Sequence, residues 1–233
     1  MIRRVAAVPA DRFHLALMLA LTFSTGVVDA IGYLGLDRVF TGNMTGNVVI
    51  LGMGLAGADG LPVVGPLLAL LGFMAGAALG GRTLKTAGPG WSRRTTWLLG
   101  LVATAMVAGG VVLLLAEDDL SRPAEITMTT ILGAVMGIQA TTARVIAVKD
   151  VTTVVVTSTI TGLAADSALG AGKGEHSARR AAAVILILAG AAAGGALLRW
   201  HLGAGLLLAG LVSVLVTVLG AVHAVHHRGA GVV

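Results

Sequence analysis

Thr41-Gly42-Asn43-Met44-Thr45-Gly46-Asn47 is a run of hydroxyls, amides and glycines inside a chain that is otherwise apolar. Of 233 residues, 56% are hydrophobic and 12% charged, and the mean hydropathy is +0.94. A soluble domain carries about 25% charged residues, so there is too little polar surface here to cover a water-exposed globule. The apolar residues also fall in long runs, such as Trp97–Ala116 and Ala181–Leu198. Runs of about 20 residues match a hydrocarbon core of about 30 Å at 1.5 Å per residue. The chain is therefore expected to be an all-α integral membrane protein, a single membrane domain over residues 1–233. What decides the fold is whether the 41–47 run crosses the bilayer or turns back inside it.

Six segments are long and apolar enough to cross: His14–Leu36, Leu61–Gly81, Thr95–Ala116, Ile126–Val148, Arg180–Leu198 and Leu202–His223. Two others, Thr41–Ala58 and Val151–Ala171, open with Thr, Ser, Asn and Gly and are less apolar. Loop charge discriminates between the two topologies. If both turn back, with the N-terminus inside, 13 of the 16 Lys and Arg lie on the cytoplasmic side; if both cross, the split is eight and eight. The positive-inside bias selects the first arrangement. It predicts six transmembrane helices plus two re-entrant, broken helical segments, with both termini cytoplasmic in a bacterial inner membrane. The basic N-terminal stretch reads as a retained first span rather than a cleaved signal.

The halves, about 14–116 and 126–227, resemble each other in order. Phe73–Gly81 (FMAGAALGG) matches Ile187–Gly195 (ILAGAAAGG), Thr41–Gly46 matches Thr157–Gly162, and Leu99–Ala103 loosely matches Ala209–Ser213. Each half reads span, re-entrant segment, span, span. Three crossings invert the second half relative to the first, giving a 3+3 inverted-topology repeat. The re-entrant segments then enter from opposite faces and approach each other near the bilayer midplane. Within them, an extended descent to about Met44 should lead into a helix over Thr45–Leu55. In the second half, Thr157, Ser158, Thr159 and Thr161 should stand ahead of a helix over Leu163–Leu169.

Non-helical backbone at membrane depth persists only inside protein or beside a water-filled cavity. Thr41, Asn43, Thr45 and Asn47 from the first half, with Gln139, Thr157, Thr159 and Thr161 from the second, are thus candidates to line a solute pathway. Free N–H groups at two helix N-termini would favour a polar or anionic solute. The alternative is that these side chains only satisfy one another at a packing joint. Asp29 lies about 15 residues, roughly 22 Å, into the first span. An intramembrane carboxylate is a functional candidate by default, unless it serves to bind the N–H groups that open the first short helix. Arg144, near the inner end of its span, is expected to snorkel or to line a vestibule. Gly72, Gly76 and Gly80, echoed by Gly190 and Gly194, permit close helix packing, within the chain or across a homodimer.

Other classes find less support. The net charge of +5 and pI near 10.7 fit cytoplasmic loops, and with 3% aromatics there is no stacking platform for nucleic acid. The expected partners are the lipid bilayer and a small-molecule solute. Cysteine is absent, which rules out thiolate chemistry. There is no G-x-S-x-G, H-E-x-x-H, Walker loop or dinucleotide fingerprint. No enzyme activity, cofactor or metal is expected, and His223, His226 and His227 read as a solvated tail.

Several motifs together resemble the YoaK-like family of bacterial multi-pass membrane proteins. They are Gly26-Val-Val-Asp-Ala30, Phe40–Asn47, Gly72–Gly81, Gly137-Ile-Gln139 with Arg144, and Thr152–Thr157 leading to Thr161-Gly162. Ala140 departs from the pattern, where the family usually has Asn. The resemblance implies a bacterial inner-membrane protein with about this number of spans, and it implies no substrate.

Overall fold

A computed structural model describes residues 9–116, 120–146, 156–167, 170, 172 and 177–229. Among the described residues it is all helical. Six helices are long and apolar enough to cross a membrane: α1 (Ala10–Gly35), α3 (Val64–Leu84), α4 (Arg93–Leu115), α5 (Arg122–Ile146), α7 (Ser177–Leu198) and α8 (Leu202–Gly229). Two short helices, α2 (Met44–Leu55) and α6 (Val156–Ala165), fall between them. The six expected spans and the six long helices coincide in number and place. Of the expected second re-entrant segment, Val151–Ala171, residues 151–155, 168, 169 and 171 lie outside the described residues.

Local chemistry sets where the helices begin. Ser92 opens α4 with a capping box: its hydroxyl accepts from the Thr95 N–H (3.1 Å), and Thr95 Oγ1 accepts from the Ser92 N–H (3.2 Å). Asn43 caps α2 by accepting the Gly46 N–H at 3.2 Å. His201 Nδ1 accepts the Gly203 N–H at the start of α8. α2 stops at Gly57, whose positive φ of 84° reverses the chain.

Contacts between helices place the ends. α1 runs from a first end of the bundle to a second. At the second end, Arg38 Nη1 donates to the Gly60 carbonyl (3.3 Å) and Arg122 Nε pairs with Asp37 Oδ1 (3.9 Å). The excursion from Leu36 through α2 to Pro62 therefore leaves and rejoins the bundle at the same end. At the first end, the Gly90 N–H donates to the Val145 carbonyl, and Phe13 stacks on His223 with ring centroids 4.2 Å apart. The tail histidine expected in solvent is thus buried at 2% exposure, because α8 continues past it and holds its ring against α1.

Three helix pairs carry most of the packing: α3 on α5, α4 on α8, and α1 on α7. α1 and α7 run parallel, as do α3 and α5. Glycine makes both contacts close. A methyl group on Gly76 would overlap the Ala134 carbonyl, and one on Gly190 would overlap that of Phe23. Gly26 lies on the Ile187 carbonyl and the Ala191 amide, and Gly137 lies on the Phe73 carbonyl and the Ala77 amide. Ile187 and Ala191 stand 114 positions after Phe73 and Ala77, the spacing of the sequence match between these helices. Gly72, Gly80 and Gly194 also face helices of this chain, so all five glycines are used within one molecule. α1 is the most enclosed of the six spans; Met18, Leu21, Val27, Val28 and Ile31 have no exposed surface.

Two expectations follow. Gly76→Leu should destabilise the detergent-solubilised protein by at least about 1–3 kcal/mol through overpacking. Gly81→Leu, with nothing within 4 Å of the added carbon, should stay within about 0.5 kcal/mol; thermal unfolding of the two variants compares them. Burial pushes the Asp37 carboxyl above its ordinary value of 3.8, against the opposing pull of Arg122. A raised folded-state pKa contributes stability that is complete below the unfolded value and is lost as pH rises through the folded one. Asp37→Asn should therefore flatten the stability profile above pH 3.8, as read by melting temperature against pH.

Candidate functional site

The descent from α1 into α2 is built around one carboxylate. Asp29 Oδ1 accepts the N–H of Gly42 at 2.7 Å, of Thr41 at 2.9 Å and of Asn43 at 3.4 Å, with the Thr41 hydroxyl at 3.4 Å. These are backbone donors of the turn that opens α2. Asp29 is six residues from the end of α1, about 9 Å along the axis, and Asp29, Thr41 and Asn47 are all buried. Asn47 fixes the other side of the turn. Its Nδ2 donates to the Phe40 carbonyl (2.6 Å) and its Oδ1 accepts the Phe40 N–H (2.9 Å). The polar run is thus needed first to satisfy a non-helical backbone where lipid offers no partners. The N–H groups expected to be free at this turn are occupied, as the second reading of Asp29 had it.

A cavity of about 740 Å³ opens beside this turn, between α1, α2, α6 and α7. Thr25, Asp29 and Tyr33 reach it from one face of α1, four residues apart. Phe40, Asn43, Thr45, Val49 and Ile50 line it from the turn and α2, Val156 and Thr157 from α6, and Ile187 from α7. All four hydrogen bonds to Asp29 fall on Oδ1, so Oδ2 accepts none of them while Asp29 forms part of the wall. The volume falls within the range of small-molecule sites, about 300–1,000 Å³.

The other expected pathway residues are placed differently. Thr41 and Asn47 lie behind the wall, in the hydrogen bonds just described. Gln139 is fully buried one layer back; its Nε2 donates to Thr25 Oγ1 at 3.2 Å, and its Oε1 has no partner. Thr159 is buried in α6 and does not line the cavity. Thr161 is exposed, and its hydroxyl donates to the Thr157 carbonyl. Arg144 is exposed in the last turn of α5 and is not in the wall.

The second short helix corrects the expected boundary. Thr157, Ser158, Thr159 and Thr161 lie inside α6, which starts at Val156 and ends at Ala165, rather than ahead of a helix over Leu163–Leu169. A threonine hydroxyl can bond the carbonyl four residues back and so sit within a helix, as Thr161 does. Gly162 leaves room for the Arg180 guanidinium, which pairs with Asp166 just past the end of α6 and ties it to α7. Thr41–Gly46 and Thr157–Gly162 are alike in sequence, but the first begins as a turn and the second is helix throughout.

Thr25, Tyr33, Phe40 and Ile187 were not among the sequence candidates. Tyr33 is the single tyrosine of the chain, and its spacing of four from Asp29 was the available signal. Tyr33 and Phe40 stack with centroids 4.7 Å apart.

Six long apolar helices around a buried, backbone-bound carboxylate define a multi-pass α-helical membrane protein. Within that class, the chain belongs to the family described as "Protein of unknown function (DUF1275)", which it matches over residues 17–219. It is similar to the UPF0700 transmembrane protein YoaK of Bacillus subtilis (strain 168), with 31% identity over 160 residues, covering 67% of this chain and 68% of that protein. The YoaK-like resemblance read from the motifs is the family relationship found. No solved structure matches the chain.

Asp29→Ala should destabilise the protein more than Asp29→Asn. Alanine strands the turn N–H groups at about 1–3 kcal/mol for a buried unsatisfied donor, whereas the asparagine oxygen can still accept. The difference in melting temperature between the two variants measures the role of the carboxylate in the turn.

Proposed function

We propose that the protein is a channel or secondary transporter for a small polar solute held in the cavity beside Asp29. One observation carries this reading: the cavity brings Asp29, Asn43 and Thr45 of the first half together with Thr157 of the second. Polar groups from separate segments converge on a concave space in an otherwise apolar bundle, which is the usual form of a solute site. The anionic option is weaker than the neutral or cationic one, since the turn N–H groups already have an acceptor.

The inverted repeat belongs to the same proposal. Its support is the matched pair of parallel glycine contacts, α1 on α7 and α5 on α3, and the excursion around α2 that returns to its own end. The bundle would then alternate by rocking one half against the other around a fixed site. Placement in a bacterial inner membrane with cytoplasmic termini rests on charge. Arg12, Arg82, Lys85, Arg93, Arg94, Arg144, Arg179 and Arg180 belong to the first end, and Arg38, Arg122 and Arg199 to the second. We also infer that the chain is not an enzyme, because no histidine, lysine or second carboxylate stands in the cavity wall among the described residues.

A second reading, a non-transporting structural protein, draws on the local roles of Asp29 and Asn47 in holding the turn. Flux of labelled polar solutes into proteoliposomes separates the two. Thr157→Val should reduce saturable flux several-fold at unchanged thermal stability, and Thr161→Val, outside the cavity, should leave it unchanged. Absence of saturable flux in the folded wild-type protein favours the structural reading.

A further inference from the structure

We propose that the solute of this cavity is a small organic cation bearing N–H groups, a protonated amine or guanidine, which donates to Asp29 Oδ2 and lays its carbon skeleton against Tyr33. This deepens, and rests on, the reading of the cavity as a solute site.

Charge makes the first part of the case. Asp29 is the one charged side chain in the wall among the described residues. Its Oδ1 accepts three N–H groups and a hydroxyl, so this oxygen acts as an acceptor throughout. Those bonds all fall on Oδ1 and leave Oδ2 outside the turn's hydrogen bonds, while Asp29 forms part of the cavity wall. A carboxylate in a cavity wall accepts strongly from a cationic N–H and repels an anion. α6 also reaches the cavity, through Val156 and Thr157.

Size and surface make the second part. A cavity of about 740 Å³ is far larger than a bare metal ion needs, so an inorganic cation would leave most of it unfilled. The rest of the wall is apolar or aromatic: Tyr33, Phe40, Val49, Ile50 and Ile187. Tyr33 is four residues from Asp29 on the same face of α1, and it stacks on Phe40. A ring face beside a carboxylate attracts an organic cation through its quadrupole, and the aliphatic side chains cover its carbons. Carboxylate, rings and apolar wall are together complementary to an organic ammonium or guanidinium.

The test uses the full chain in proteoliposomes with methylguanidinium as probe, since its permanent charge prevents leakage as free base. Acetate, acetamide, glycine and sodium are tested in parallel. Saturable methylguanidinium uptake is expected, reduced about tenfold or more by Asp29→Asn through loss of the charge-assisted bond. Tyr33→Leu should reduce it about three- to tenfold through loss of the ring. Tyr33 is 37% exposed, so this variant folds and carries the test alone if Asp29→Asn does not. Saturable uptake of acetate, acetamide, glycine or sodium in place of methylguanidinium overturns the cation assignment and leaves the solute-pathway reading standing. So does methylguanidinium uptake unchanged by either substitution. No saturable uptake of any probe by the folded protein removes both.

Discussion

The fold depends on how a length of non-helical backbone is satisfied within the bilayer. Between Val39 and Met44 the chain turns into α2 without helical hydrogen bonds, and its buried polar groups need partners from the chain itself. Asp29 resolves this on one side and Asn47 on the other. Oδ1 of Asp29 collects the N–H groups of Thr41, Gly42 and Asn43, and the Asn47 amide pairs with both backbone groups of Phe40. With these in place, α2 can return to the end it came from, and a cavity forms in the space the turn leaves open. The cavity and the turn share one residue. The carboxylate holds the turn through one oxygen, and the same residue forms part of the cavity wall.

Close packing of the spans places that turn. Without a hydrophobic driving force between helices in lipid, association relies on short contacts between small residues. Gly26, Gly76, Gly137 and Gly190 let α1 reach α7 and α3 reach α5 at backbone distance. Those contacts hold Asp29 in the enclosed helix of the bundle and bring Ile187 of α7 to the cavity wall. The glycines that looked free to mediate contact between molecules are thus consumed within one.

Much of the fold was legible because membrane insertion writes itself into one dimension. Span length follows from bilayer thickness, and Lys and Arg placement follows from insertion, so number and order of helices could be read without coordinates. The start of α2 could also be read, because Gly and Asn ahead of Met44 are poor helix residues and good caps. The start of α6 could not. Thr157–Thr161 has the composition of a turn, yet its hydroxyls can bond helical carbonyls, and neither option is distinguishable in isolation. His223 was misread for a related reason: a histidine near a chain end looks solvated until a second helix is found against it.

The sequence by itself determined that this is a six-span membrane protein with polar, glycine-broken segments between spans, since hydropathy and charge act along the chain. It also marked Asp29, because a carboxylate in an apolar run has no cheap explanation. Only the tertiary structure decided which polar groups face the cavity and which hold the turn. That distinction rests on angles around helix axes and on which donor reaches which oxygen. Thr25, Asp29 and Tyr33 share a cavity, while Thr41, Asn47 and Gln139, equally polar, are spent behind it, because hydrogen-bond satisfaction in a bilayer is settled between segments rather than along them.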